Sequence, residues 1–227
     1  MKKIIICVLA ASTLLMMTAC SSMSTTGKGT LIGTGSGAAL GAALGALIGH
    51  DGKATAIGAA IGTAVGAGTG AAIGKVMQNK KEKLAAQLAE QATVETITDS
   101  NGLTAIKCTF DADMSFAKNS STLSASAKTA LKNFASQVTT QDLINTEIQI
   151  KGHTDSSGGD KINQPLSEKR AKAVGDILRA NNVTNSRITE VGMASSEPIT
   201  SNAADAANRR VEVYILATEA MVQQYAQ

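Results

Sequence analysis

The sequence predicts an α+β fold: a βαβαβ sandwich with one mixed sheet in the C-terminal half, preceded by a glycine-rich helical hairpin. Three observations carry this. Short runs of alternating apolar residues, the pattern of half-buried strands, occur at 103–110, 146–151 and 210–216. Between them lie stretches with apolar residues three and four apart, the pattern of helices. Upstream, two uncharged stretches carry glycine at every fourth position. The chain has 227 residues, enough for one or two domains, but with 2% aromatics, no Trp and 21 Gly not all of it is an ordinary packed core.

Residues 1–19 read as a signal peptide: Lys2 and Lys3, an apolar run from Ile4 to Met17, then small residues. The run is too short for a comfortable membrane span. Met17-Thr18-Ala19-Cys20 resembles the lipobox of bacterial lipoproteins, with Met17 where Leu is usual. That resemblance implies cleavage before Cys20, a diacylglycerol thioether on its sulfur and acylation of the new N-terminus. Acyl burial stabilises membrane attachment by about 0.8 kcal/mol per CH₂, so three chains make an effectively permanent anchor. Ser21, rather than Asp, follows the cysteine, which in many Gram-negative lipoproteins favours the outer membrane. Residues 20–28 are then a lipidated tether. With Cys7 removed and Cys20 lipidated, Cys108 is left alone and no intramolecular disulfide is available.

Glycine recurs at 29, 33, 37, 41, 45 and 49, and again at 58, 62, 66, 70 and 74. Helices with this period present a glycine ridge that lets backbones approach closely. Thr30–Gly49 and Ala54–Gly74 carry no charge, and at about 1.5 Å per residue each is long enough to cross a hydrocarbon core of about 30 Å. The polar tetrapeptide His50-Asp51-Gly52-Lys53 makes the tip, so residues 29–75 read as a helical hairpin resembling the glycine zippers of bacterial envelope lipoproteins. Its glycines weaken helices and dilute its hydrophobicity, which leaves two readings: insertion in a bilayer, or a peripheral hairpin that self-associates. Lys75, Lys80, Lys81 and Lys83 follow, as in a segment leaving a lipid surface. Residues 76–99 read as a helical linker, with an exposed helix over Val76–Ala92 spacing the anchor from a domain at 100–217; residues 218–227 are a tail.

Within that domain Leu103–Phe110 is the first strand. Ile106, Cys108 and Phe110 share one face, so Cys108 reads as core. A short extended piece is expected around Met114–Phe116. Ser124 is placed to cap a helix whose face carries Ala127, Leu131, Phe134 and Val138. Thr146–Lys151 is a strand with Ile148 and Ile150 on one face. Gly152 ends it, and 156–159 is a turn. Pro165 suits the first position of the next helix, with Gln164 as its N-cap. The stripe of that helix runs Leu166, Arg170, Val174, Ile177 and Leu178. Arg187–Gly192 and Arg210–Leu216 complete the strands, with Val211, Val213 and Ile215 inward.

Arg170 thus stands inside an apolar stripe. A guanidinium cannot shed its charge, so it needs a carboxylate or a ligand anion beside it. Asp155, at the carboxyl end of a strand where α/β clefts open, is a candidate partner. Spacing alone leaves two readings, a structural pair fastening helix to loop or a ligand-binding pair.

GHTD at 152–155, Asn163, Leu166-Ser167, Arg170-Ala171, Val174, Leu178, Arg187-Ile188, Val191-Gly192, Glu197-Pro198 and Asn208-Arg209-Arg210-Val211 together resemble the OmpA-like domain over residues 100–217. It is found in outer-membrane protein A, peptidoglycan-associated lipoproteins and flagellar motor B proteins. The resemblance implies non-covalent binding of peptidoglycan, with the motif Asp and Arg, here Asp155 and Arg170, gripping the diaminopimelate of the stem peptide; Asn163 and Leu166 fall on further motif positions of that site. It also makes Arg209 and Arg210 mostly structural, with one of them near the pocket. A carboxylate for the ligand's ammonium and a guanidinium fork for its carboxylate suit such a zwitterion. The sequence departs from the family at Phe116-Ala117-Lys118-Asn119, where many members carry an Asp after the Phe in a loop lining the pocket.

Other chemistry is thin. Without Lys2 and Lys3 the balance is 19 basic to 18 acidic residues, and no basic stripe with interleaved aromatics points to nucleic acid. His50 and His153 are the only histidines, too few for a His-rich metal cluster. His153, Asp155 and Ser156 are too close in sequence for a hydrolytic triad, and His153 is expected to close a hydrogen bond at the strand end. The loop at 155–160 lacks the twelfth-position Glu of a calcium loop, and 157–161 lacks the rest of a P-loop. No catalytic residue, metal or cofactor is assigned. The function implied is a lipid-anchored outer-membrane protein whose periplasmic domain tethers the envelope to the wall. The alternative is a membrane-active assembly of the glycine hairpin, a homo-oligomeric pore or spacer that the wall domain localises.

Overall fold

A computed structural model describes residues 67–116 and 119–226. In chain order it contains helix α1 (Ala67–Leu88), strands β1 (Ala92–Thr98) and β2 (Thr104–Asp111), the one-turn helix α2 (Ala112–Ser115), helix α3 (Ala125–Val138), strand β3 (Thr146–His153), helix α4 (Asp160–Ala180), strands β4 (Ile188–Gly192) and β5 (Arg210–Ala217) and helix α5 (Glu219–Tyr225). The strands form one sheet in the order β1-β2-β5-β3-β4. Only β3 and β4 run parallel, joined by α4; the other neighbours are antiparallel. The mixed α+β sandwich expected from the sequence is the fold.

Alternation sorts the two faces of the sheet. Ile106, Cys108 and Phe110 of β2, Ile148 and Ile150 of β3, and Val211, Val213 and Ile215 of β5 are buried in one core with the helices. Burial in that apolar layer pushes the Cys108 thiol up to about 12, so it is an inert core residue. Ser124 caps α3 as expected, its side chain accepting from the Ala127 N–H at 3.1 Å. The guanidinium of Arg187 collects the carbonyls of Val138 (3.0 Å), Leu143 (2.8 Å) and Thr146 (2.8 Å), fastening the chain between α3 and β3 to the start of β4.

Several expectations are corrected. The helix after the glycine region is not an exposed spacer. Ile73, Met77, Leu84 and Leu88 of α1 are all fully buried, against β1, β2, α3 and α5. Lys80 lies on the same face, buried, with Nζ 2.9 Å from Asp142 Oδ2 and 2.9 Å from Thr140 Oγ1. A lysine can bury its stem when its ammonium is partnered, so this residue belongs to the domain rather than to a lipid surface. Residues 92–98, expected in a helical linker, form β1. Their β-branched composition (Thr93, Val94, Thr96, Ile97, Thr98) suits an edge strand, and Asp99 Oδ1 turns the chain by accepting from the N–H groups of Asn101 and Leu103.

The piece at 114–116, expected as extended, begins in α2, and only Phe116 makes a bridge, to Leu123. Helix α4 starts five residues before Pro165, which lies inside it. The expected tail at 218–227 contains α5, capped by Thr218 and packed through the buried Met221 and Val222. The signal peptide, Cys20 and most of the glycine hairpin lie outside the described residues; α1 begins within its second glycine run. Among the described residues no helix is long and apolar enough to cross a membrane.

If α1 is core, Leu84→Ala costs about 2–5 kcal/mol in denaturant unfolding. An exposed spacer helix predicts a change within about 0.5 kcal/mol, and that result would contradict the packing.

Candidate functional site

The site is built at the carboxyl end of β3. A side chain at Gly152 would collide with the backbone of Ser167, so only glycine lets α4 lie this close to the strand. Beyond His153 the chain is tied on both sides. Thr154 N–H donates to Ala194 O at 2.8 Å, and Ser156 N–H to Ala203 O at 2.9 Å. Asp155 caps the 3₁₀ turn Ser156–Gly158, its Oδ1 accepting from Ser157 N–H at 2.9 Å. Gly159, at φ 64°, then reverses the chain into α4.

Helix α4 buries Asn163, Ser167, Arg170, Ala171, Val174, Gly175 and Leu178. Its first turn holds the loop, because Asn163 Nδ2 donates to Asp155 O at 2.8 Å. Asn163 is therefore a structural tie behind Asp155. Leu166 is half-buried and lies outside the hydrophobic core. Arg170, one turn on from Ser167, is 3% exposed. Its guanidinium lies 5.2 Å from the centre of the Phe116 ring and its Nε donates to Ser120 O at 3.1 Å. A cation over an aromatic face is attracted by the ring quadrupole, so Phe116 and Ser120 orient the charge.

The ion-pair partner of the Asp155 carboxylate is Arg209, whose Nη1 is 2.7 Å from Oδ2. Asp155 is one candidate partner for Arg170 in the sequence; the ion pair described for its carboxylate is this one with Arg209. Burial alone would raise the Asp155 carboxyl, but the hydrogen bonds from Arg209 and Ser157 and the Arg209 charge outweigh it and hold it below the ordinary carboxylate range. Asp155 is thus kept ionised, with one oxygen on a backbone N–H and the other on a guanidinium. Asn208 prepares this arrangement. Buried at 1% exposure, it accepts from Ile199 N–H at 2.8 Å and donates to Asn202 O at 2.9 Å, pinning the loop before β5.

Of the two arginines in this motif, Arg210 is the structural one. It is buried and donates to Glu212 Oε1 at 2.8 Å and Glu197 O at 3.1 Å. His153 Nε2 lies 3.3 Å from Glu212 Oε2, and Tyr214 donates its hydroxyl to the same oxygen at 2.6 Å. Burial would raise the Glu212 carboxyl, yet His153, Tyr214 and Arg210 together hold it far below its usual range. Atoms of His153, Glu197 and Glu212 lie within 4.8 Å of one another, but Arg210, Lys107 and Lys151 already counter these carboxylates, so the donor set does not suit a metal ion. Ala117 and Lys118 lie outside the described residues.

The structure therefore ties Asp155 to Asn163 and Arg209 at the loop that leaves β3, and sets Arg170, on the helix packed against that strand, beside Phe116 and Ser120. An OmpA family model matches residues 115–212. Those residues are an OmpA-family domain. A YMGG-like Gly-zipper model matches residues 1–78. The chain is similar to outer membrane protein A of Salmonella typhi, 34% identical over 128 residues, covering 51% of this chain and 37% of that protein. It is also similar to the peptidoglycan-binding protein ArfA of Mycobacterium tuberculosis, 46% identical over 71 residues, covering 30% of this chain and 22% of that protein. The chain thus spans well under half of either relative. In fold it resembles a MotB-like protein from Desulfovibrio vulgaris, at TM-score 0.51 and 20% identity over 65% of this chain and 94% of that one.

Arg209→Gln removes the charge beside Asp155 and is expected to move its carboxyl up toward the ordinary carboxylate range in an NMR titration. Because the folded value is depressed, the pair stabilises above the unfolded value and that stability is lost as pH falls through the folded one. The variant should be less stable than wild type by about 1 kcal/mol or less at neutral pH, and equal to it in strong acid. A gap that is the same at both extremes would contradict the assignment.

Proposed function

We propose that this protein is a lipid-anchored envelope protein whose OmpA-family domain binds peptidoglycan without covalent linkage, gripping the free zwitterionic end of diaminopimelate in the stem peptide. The observation that carries this is an ionised Asp155, oriented by Arg209 and Ser157 at the carboxyl end of β3, together with a buried guanidinium, Arg170, on the helix packed against that strand. In this reading the ligand's ammonium meets Asp155, already fixed by Arg209 and Ser157, and its carboxylate takes the Arg170 fork. Arg170 is covered, so in this reading the Phe116 ring and Ser120 move off the guanidinium as the ligand enters. The similarity to a protein named for peptidoglycan binding supports the ligand class.

Acylation of Cys20 would hold the chain on the outer membrane, with residues 20–28 as tether, 29–75 as glycine hairpin and the wall-binding domain in the periplasm. The match of residues 1–78 to a glycine-zipper model supports a packed hairpin in place of a loose linker. No part of the site is assigned to catalysis.

The test is co-sedimentation of the full chain with purified sacculi. Each of Asp155→Ala and Arg170→Ala removes a charge-assisted hydrogen bond and should weaken binding about tenfold to hundredfold. Arg170→Lys should also weaken it, since an ammonium cannot reproduce the planar fork. Variants that sediment like wild type but melt lower would reduce these residues to a structural role.

A further inference from the structure

Ile162 is 62% exposed and Ile199 is 57% exposed, and among the described residues these are the large apolar side chains left most open to water. Single exposed hydrophobics are ordinary on a protein surface. These two are set apart by where they stand. Ile162 precedes Asn163, whose amide holds Asp155 O at 2.8 Å, and a Cβ built on Gly158 would lie 3.4 Å from the Ile162 side chain. It therefore flanks the Ser156–Gly158 turn on the α4 side. Ile199 N–H donates at 2.8 Å to Asn208, the neighbour of the Arg209 that pairs with Asp155. Its loop continues to Ala203, whose carbonyl accepts from Ser156 N–H at 2.9 Å. Both isoleucines thus belong to segments hydrogen-bonded to the turn that Asp155 caps.

We propose that Ile162 and Ile199 form an apolar rim to the Asp155 site that selects alanine-bearing stem peptide over the free diamino acid. This rests on the wall-binding reading above. The charged groups at the free end of the diamino acid are answered by Asp155 and Arg170, which leaves the methyl group of the adjoining alanine without a partner. Exposed isoleucines beside the clamp supply one at low cost, because neither side chain is needed for the core. Covering a methyl group against such a side chain removes apolar surface from water and gives affinity without a new charge. The polar groups fix the orientation and the rim distinguishes a peptide from an isolated amino acid.

Calorimetric titration of the full chain in detergent, with free diaminopimelate and with the stem tetrapeptide, tests this. The tetrapeptide should bind wild type more tightly than diaminopimelate. I162S and I199S should each weaken the tetrapeptide about threefold to tenfold while leaving diaminopimelate and the melting temperature unchanged. Tetrapeptide affinity unchanged in both variants, or no tighter than that of diaminopimelate in wild type, overturns the rim and leaves the clamp standing. Equal weakening of both ligands also overturns it, since that is distortion of the clamp. A wild-type protein that binds neither ligand removes both the rim and the wall-binding reading.

Discussion

In the antiparallel ladder of β3 and β5, Gly152 faces Val211 and His153 faces Arg210, and the whole site follows from that register. A slip of one residue would turn Val211, Val213 and Ile215 out of the core, so the register is held by burial. It also places Arg209, immediately before β5, beside the loop that leaves β3, where it reaches Asp155. On the opposite face the same register lines up His153, Arg210, Glu212 and Tyr214 as a buried polar group. Buried charges are costly unless paired and hydrogen-bonded. Here Glu212 accepts from Arg210 and Tyr214, and Arg210 also reaches Glu197 O on the covering loop, which ties residues 193–209 to the sheet.

The helical layer makes a second point about what the domain is. The match to the OmpA family starts at residue 115, yet α1, β1 and β2 lie before it and share its core. Helix α1 contributes four fully buried side chains and a buried lysine paired with Asp142. The segment leading out of the glycine region is thus part of the folded unit. A chain beginning at residue 97 would lose the α1 layer and nearly all of the edge strand, leaving β2 with an open edge.

Much of this was legible in the sequence where the signal is local. Alternation at 103–110, 146–151 and 210–216 gave β2, β3 and β5, and the Ser124 cap gave α3. Local signals failed where two compete. Pro165 looks like a helix start, but Gly159 and Asp160 already open α4, and the helix tolerates an exposed proline in its second turn. Lys80 interrupts the apolar stripe of α1, so a core helix reads as a spacer. Strand β1 has little alternation because it is an edge with most of its residues exposed. Asp155 and Arg170 were found through motif spacing, whereas the Asp155–Arg209 pair depends on β5 lying next to β3. Strand order is not written in any local pattern, so that contact becomes visible only in three dimensions.

In the proposed clamp, Asp155 and Arg170 recognise opposite charges on one amino-acid end. In a stem peptide, lysine at the diaminopimelate position offers the same free ammonium but lacks the carboxylate beside it. Calorimetric titration of the full chain with the diaminopimelate-containing and the lysine-containing stem peptide isolates the contribution of the Arg170 fork. If Arg170 clamps that carboxylate, the diaminopimelate peptide binds and the lysine peptide binds at least about tenfold more weakly, the loss of one charge-assisted contact. Equal affinity for the two would contradict it.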